Sequence, residues 1–136
     1  MPEGVLFICL GNSCRSIMAE ALARHFFPDA VKAGSAGINP LGYITAETLT
    51  VLAEAGIATE GLWSKGLAEI NLAEFPLLIN LTVYSLDSYL PRACHGRVMQ
   101  YPVVDPFRNT LQVYREARDA IRQFITEDLP SCLVNL

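Results

Sequence analysis

The stretch Val5-Leu6-Phe7-Ile8-Cys9-Leu10-Gly11-Asn12-Ser13-Cys14-Arg15-Ser16 decides how the rest of the chain is read. Residues 4–9 are a short, unbroken apolar run rather than an alternating one, which predicts a strand buried on both faces, as in a parallel sheet. The run stops at a cysteine, passes through Gly-Asn-Ser-Cys and meets an arginine. From Ser16 the period changes. Met18, Leu22 and Phe26 recur every four positions while Glu20 and Arg24 fall elsewhere, which predicts a helix with one buried face, stopped by Pro28. A core strand has no need of such an ending, whereas a site that binds an anion and attacks it does.

With Cys9 as the last strand residue and Arg15 at the helix start, the loop wraps over a helix N-terminus. Its N–H groups converge there and the helix end adds partial positive charge. Gly11 supplies conformational freedom and Asn12 tolerates the left-handed region. Arg15 offers a planar fork that matches two oxygens of a tetrahedral oxyanion. The same nest favours a thiolate at Cys9, and a thiolate beneath a bound phosphate is a nucleophile aimed at phosphorus. Leu10, Gly11, Asn12, Ser13, Cys14 and Ser16 are thereby the expected oxyanion-binding residues. Three plainer readings compete. Cys9 could be an inert core thiol. Cys9 and Cys14 could ligate zinc, but no second pair has the spacing and His25 and His95 are poor substitutes. A nucleotide-binding loop would need Gly-Lys-Ser/Thr, which is absent.

Outward from this unit, residues 30–36 predict a second strand closing on Ser35-Ala36-Gly37. Thr45 is placed to cap a helix running to about Ala55, with Leu49, Leu52 and Ala53 inward and Gly56 ending it. Residues 77–83 (LLINLTV) predict a third strand and 97–101 a weaker fourth. Leu111, Tyr114, Ala117, Ile121 and Ile125 mark a long amphipathic helix over 110–126. Strands alternating with helices imply an α/β domain with a parallel sheet, read here as one domain over residues 1–136. Ligands in such sheets bind beyond the carboxyl ends of the strands, where the loop at 10–13 sits.

The chain has 136 residues, of which 51% are hydrophobic and 18% charged, enough for one domain with a sizeable core. A net charge of −4 argues against a general nucleic-acid or membrane-surface binder. No apolar run reaches the ~20 residues of a membrane span, and the opening MPEG lacks the basic start of a secretory signal. A cytoplasmic protein is expected, with its four cysteines (Cys9, Cys14, Cys94, Cys132) reduced. No metal or cofactor is expected.

The segment CLGNSCRS, followed by Ile17-Met18-Ala19-Glu20, resembles the low-molecular-weight protein phosphatase family, which includes the thioredoxin-coupled arsenate reductases. The likeness runs on through Ser35-Ala36-Gly37, Ser64-Lys65 and Asp105-Pro106-Phe107. It implies a four-stranded parallel sheet flanked by helices. It implies Cys9 as nucleophile, Arg15 as oxyanion clamp and Asp105 as general acid, although Asp-Pro alone would read as a turn. Ser16 would hydrogen-bond the Cys9 sulfur, and Asn12 would hold the loop through Ser35. Leu41, Tyr43 and Phe107 would wall the mouth. The expected activity is hydrolysis of phosphate monoesters, protein phosphotyrosine first, through a phosphocysteine. The alternatives are arsenate reduction with a thiol reductant as partner, or hydrolysis of phosphoarginine in proteins. Reductases of this kind carry two cysteines after the third strand. Here Tyr84 and Leu90 stand near those places, and Cys94 has no evident role. Ser13 points the other way, being common in the reductase branch. Neither nucleic acid nor membrane is an expected partner.

Overall fold

The computed structural model describes residues 2–92, 94 and 96–134. Four strands, β1 (Glu3–Cys9), β2 (Val31–Gly37), β3 (Leu77–Asn80) and β4 (Arg97–Gln100), form one parallel sheet in the order β2-β1-β3-β4. The predicted α/β architecture is therefore present. β1 pairs with β2 from Glu3↔Val31 to Cys9↔Gly37 and with β3 from Val5↔Leu77 to Ile8↔Asn80. Chain connectivity reverses direction across β1, so the crevice expected at a topological switch point opens at Cys9.

The continuous apolar run of β1 is explained by its two covered faces. Val5 and Phe7 pack into a large cluster with Met18, Leu22, Leu52, Ile79 and Ile121. Leu6 and Ile8 point the other way, into a smaller cluster with Ala36, Phe75, Leu78 and Leu86. Period-2 alternation thus feeds two cores rather than one core and water.

Helix α1 (Arg15–Phe26) departs from the one-faced helix read from the sequence: its residues from Arg15 to Ala23 are all buried, Glu20 included. It packs against β1, β2 and the long helix near the C-terminus, and only its last turn, with Arg24 and His25, meets water. In α2 (Ala46–Glu54), Thr45 caps as expected, its hydroxyl accepting from Thr48 N, but the inward residues are Thr48, Val51 and Leu52. Leu49 and Ala53, expected inside, face solvent. β3 ends at Asn80 rather than at 83. The Asn80 carboxamide oxygen accepts from Thr82 N and Thr82 Oγ1, and Thr82 Oγ1 accepts from Tyr84 N, so a side chain closes a turn where strand pairing would have continued.

The last helix is longer and less regular than expected. α3 (Leu111–Gln123) leads through a π-helical turn (Phe124–Asp128) into α4 (Leu129–Val134). Pro130 has no N–H to return to the Thr126 carbonyl, and a widened turn absorbs the missing bond. Tyr114, Ala117, Ile121 and Ile125 are buried as read, whereas Leu111 lies on the surface. No helix among the described residues is long and apolar enough to cross a membrane.

Candidate active site

Residues 10–14 lie between β1 and α1 and are held by their carbonyls. Cys9 O accepts from Ile38 N (3.0 Å), Leu10 O from Asn39 N (2.8 Å) and Gly11 O from Leu41 N (3.0 Å). Ser13 O accepts from Thr48 Oγ1 (3.0 Å), and Cys14 O from Met18 N (2.9 Å). In a trans peptide the N–H points opposite the carbonyl, so fixing these carbonyls in the protein turns the N–H groups toward the opening. Asn12 adopts the left-handed region (φ 47°) that lets the loop close. Gly37 explains the Ser-Ala-Gly motif at the end of β2: a Cβ there would sit 2.9 Å from both Asn12 N and Leu10 O. The loop lies directly on that backbone.

Cys9 is 2% exposed and ends β1 at the base of the pocket. Its sulfur lies 2.9 Å from Ser16 Oγ and accepts from Asn12 N at 3.3 Å. Asn12 Nδ2 donates to Ser16 Oγ at 2.7 Å. Asn12 and Ser16 are both fully buried, and their side chains stand behind the sulfur rather than in the pocket wall. Both side chains are already bonded inside the protein, Ser16 to the Cys9 sulfur and Asn12 to Ser16. Leu10, Gly11, Ser13 and Cys14 do line the pocket. The Cys14 thiol is turned toward Thr45 Oγ1 and Tyr114 OH, each at 3.5 Å. Burial raises the Tyr114 phenol far above its usual range.

Arg15 is 6% exposed and rigidly held. Its Nη1 donates to Leu81 O (3.1 Å) and Val103 O (3.0 Å), tying α1 to the chain leaving β3 and to the segment before Asp105. Its Nε is buried without a hydrogen-bond partner. An unpaired buried N–H costs about 1–3 kcal/mol, and an oxyanion over Cys9 would satisfy it. Arg15 Nη2 stands 3.5 Å from Asp105 Oδ2. Asp105 is half exposed at the rim, and its Oδ1 accepts from Phe107 N (3.1 Å), so Pro106 sits inside a small side-chain-closed turn. Leu41 and Phe107 wall the pocket, but Tyr43, expected beside them, does not; it faces a neighbouring depression with Glu47, Arg108 and Tyr114.

The resemblance implied that Asn12 holds the loop through Ser35, and the structure gives both residues other partners. Asn12 Oδ1 accepts from Lys65 N at 2.8 Å, while Ser35 Oγ donates to Glu20 Oε1 at 2.5 Å. Glu20 and Lys65 are thus parts of the site's underside that periodicity concealed. The pair Ser64-Lys65 was the signal for Lys65; nothing in the spacing marked Glu20. Cys94 packs at the edge of the smaller core cluster and lines a groove with Phe75, Pro76 and Gly96. These residues precede β3 and β4, so Cys94 lies at the opposite end of the sheet from Cys9. Cys132 is buried in α4, with its thiol donating to Asp128 O and pushed up in pKa by burial. His95, weighed as a zinc ligand, lies outside the described residues, and His25 packs edge-on against Phe26.

Comparison with known proteins agrees with this geometry. Residues 4–130 match the family model of low molecular weight phosphotyrosine protein phosphatase. A protein-arginine-phosphatase of Bacillus subtilis is 28% identical over 90% of this chain and 92% of its own length. An arsenate reductase of Bacillus cereus is 29% identical over 89% of this chain and 90% of its own. The crystal structure of a low molecular weight protein tyrosine phosphatase from T. tengcongensis superposes with a TM-score of 0.82 at 26% identity, covering 95% of this chain and 99% of that one. The strand-loop-helix nest, the buried arginine and a match over nearly the whole chain lead to one conclusion: this protein belongs to the low molecular weight phosphotyrosine protein phosphatase family.

Proposed function

We propose that the protein hydrolyses phosphate monoesters on proteins, phosphotyrosine first among them, with Cys9 as nucleophile, Arg15 as clamp and Asp105 as general acid. The observation that carries this reading is the unpartnered Arg15 Nε buried beside Cys9 at the base of a pocket walled by Leu41 and Phe107. Guanidinium and loop N–H groups suit a tetrahedral dianion, and apolar walls suit an aryl ring above it. Cys9 Sγ attacks phosphorus, and the bond to the leaving oxygen breaks as Asp105 gives that oxygen its proton. Water then attacks the phosphocysteine with Asp105 accepting a proton. The sulfur leaves as a thiolate that Ser16 Oγ and Asn12 N stabilise by hydrogen bonds, and inorganic phosphate is released.

Hydrolysis of phosphoarginine is the second reading, favoured by the Bacillus subtilis relative. Arsenate reduction needs thiols within reach of the Cys9 adduct, and residues 81–92 contain none. Side-by-side assays on phosphotyrosine peptide, phosphoarginine peptide and arsenate with thioredoxin test the assignment. The highest kcat/KM is expected on phosphotyrosine. Arsenate turnover beside negligible hydrolysis would overturn it. A cytoplasmic site of action follows from the reduced state that Cys9 needs.

A further inference from the structure

Beneath the anion loop lies a buried group of charges that the hydrolytic steps leave unused. Glu20 of α1 is 5% exposed, Lys65 6% and Ser35 of β2 0%. Lys65 Nζ donates to Trp63 O (2.9 Å) and Ser35 Oγ (3.3 Å) and stands 3.6 Å from Glu20 Oε1. Arg24 pairs with the other Glu20 oxygen, and Glu69, which accepts from Gly66 N, is the remaining charge nearby. Burial pulls the Lys65 ammonium below the ordinary lysine range, against the attraction of Glu20. A buried ion pair of this kind is weak evidence for stability, since an apolar replacement of similar volume is often no worse.

The backbone of the same lysine suggests its purpose. Lys65 N donates to Asn12 Oδ1 at 2.8 Å, and Lys65 O accepts from Gly37 N at 2.9 Å. A backbone N–H can only donate, so it fixes which end of the Asn12 carboxamide is oxygen. The Asn12 NH2 must then face Ser16, and it donates to Ser16 Oγ at 2.7 Å. With its oxygen accepting from Asn12, the Ser16 hydroxyl keeps its one proton for the Cys9 sulfur 2.9 Å away. The chain has a direction, and reversing it would turn a lone pair toward the sulfur.

We propose that Lys65 is a positioning residue: its ammonium, seated on Glu20 and Ser35, pins the segment whose N–H sets the direction of the Asn12–Ser16–Cys9 hydrogen-bond chain. This rests on the reading of Cys9 as nucleophile. The charged groups facing Cys9 itself are Arg15 from α1 and Asp105 from the loop before α3. Two variants test the role: Lys65→Met, which keeps the stem and leaves Glu20 to Arg24 and Ser35, and Lys65→Met/Glu20→Gln, which removes both partners. The readouts are Cys9 alkylation by iodoacetamide, located by peptide mapping, and kinetics on p-nitrophenyl phosphate. In both variants the alkylation rate at pH 6 relative to pH 9 falls about tenfold, the size of one charge-assisted hydrogen bond. kcat falls by a similar factor with KM within about twofold. A folded double variant with the wild-type alkylation ratio would overturn the role, because balanced removal of the charges would then be harmless to the loop. Failure of both variants to fold would overturn it too, by showing that the cluster serves the fold. If instead wild-type Cys9 reacts no faster at pH 6 than a free cysteine and inorganic phosphate does not protect it, the nucleophile reading itself fails.

Discussion

β1 and β3 end side by side, yet the chain leaves them in two different conditions. After β1, Asn12, Ser13 and Cys14 are at most 3% exposed, and their loop is anchored from residues 38–48 and 64–65. After β3, Val83 is 80% exposed, Tyr84 54% and Tyr89 50%. That turn is closed by its own Asn80, whose Nδ2 reaches Tyr84 O and Gln100 Oε1. One loop is rigid because distant segments take up its carbonyls. The other, beyond Leu81, is closed by its own Asn80 and Thr82 and leaves Val83, Tyr84 and Tyr89 to water. The comparison separates two chemistries that begin with the same thiolate: the buried loop suits binding and attack, whereas a redox relay would need mobile thiols on the exposed one.

Breaking the first loop has the largest expected effect. Cys9→Ser reduces turnover on p-nitrophenyl phosphate by on the order of 10⁴-fold or more, while inorganic phosphate still binds by calorimetry because the loop survives. Arg15→Lys approaches the same loss, since an ammonium cannot replace a guanidinium that holds Leu81 O and Val103 O while facing the anion. Appreciable hydrolysis by Cys9→Ser removes Cys9 from the mechanism.

The next effect is selective. Asp105→Asn is expected to slow an alkyl phosphate by about 10²–10⁴-fold, but p-nitrophenyl phosphate by under about tenfold, because the activated leaving group hardly needs a proton. Equal losses on the two substrates indicate that Asp105 only closes its turn onto Phe107 N.

Gly37→Ala probes the support of the loop rather than its chemistry. The added methyl group meets Asn12 N and Leu10 O at 2.9 Å, both of them backbone. A cost of about 1–3 kcal/mol is expected, seen as a melting temperature several degrees lower together with reduced kcat. An unchanged melting temperature and kcat would show that the loop gives way more easily than its anchored carbonyls imply.

The second loop should be nearly silent. Cys94→Ser leaves hydrolysis within about twofold, since Cys94 sits in the groove near Phe75 and Gly96 at the far end of the sheet. Thioredoxin-dependent arsenate turnover that vanishes in Cys94→Ser would break the contrast between the two loops. Smallest of all, Glu54→Gln tests a surface pair away from both. The Arg115 hydrogen bonds hold the Glu54 carboxyl below its ordinary 4.5. A depressed carboxylate contributes above its unfolded value and loses that contribution as pH falls through the folded one. The variant therefore melts about a degree lower near neutrality, a difference that shrinks on acidification below pH 4.5.

Local features of the chain determined much of this protein. The unbroken apolar run of β1, the Gly-Asn turn, the cysteine and arginine with five residues between them, and the cap at Thr45 each act within a few residues, so the order of elements and the nest at residues 9–16 are legible in one dimension. Tertiary structure decided what depends on contacts between distant segments. Glu20 looks like a solvated helix residue until β2 and Lys65 close over it. Asn12 could have bonded several partners, and only folding brings Lys65 N to its oxygen. β3 stops at Asn80 because a side chain outcompetes the ladder there, which no period reveals. Periodicity records which residues avoid water, whereas a buried polar group is stabilised by its particular partners, and those are chosen only when the chain has closed.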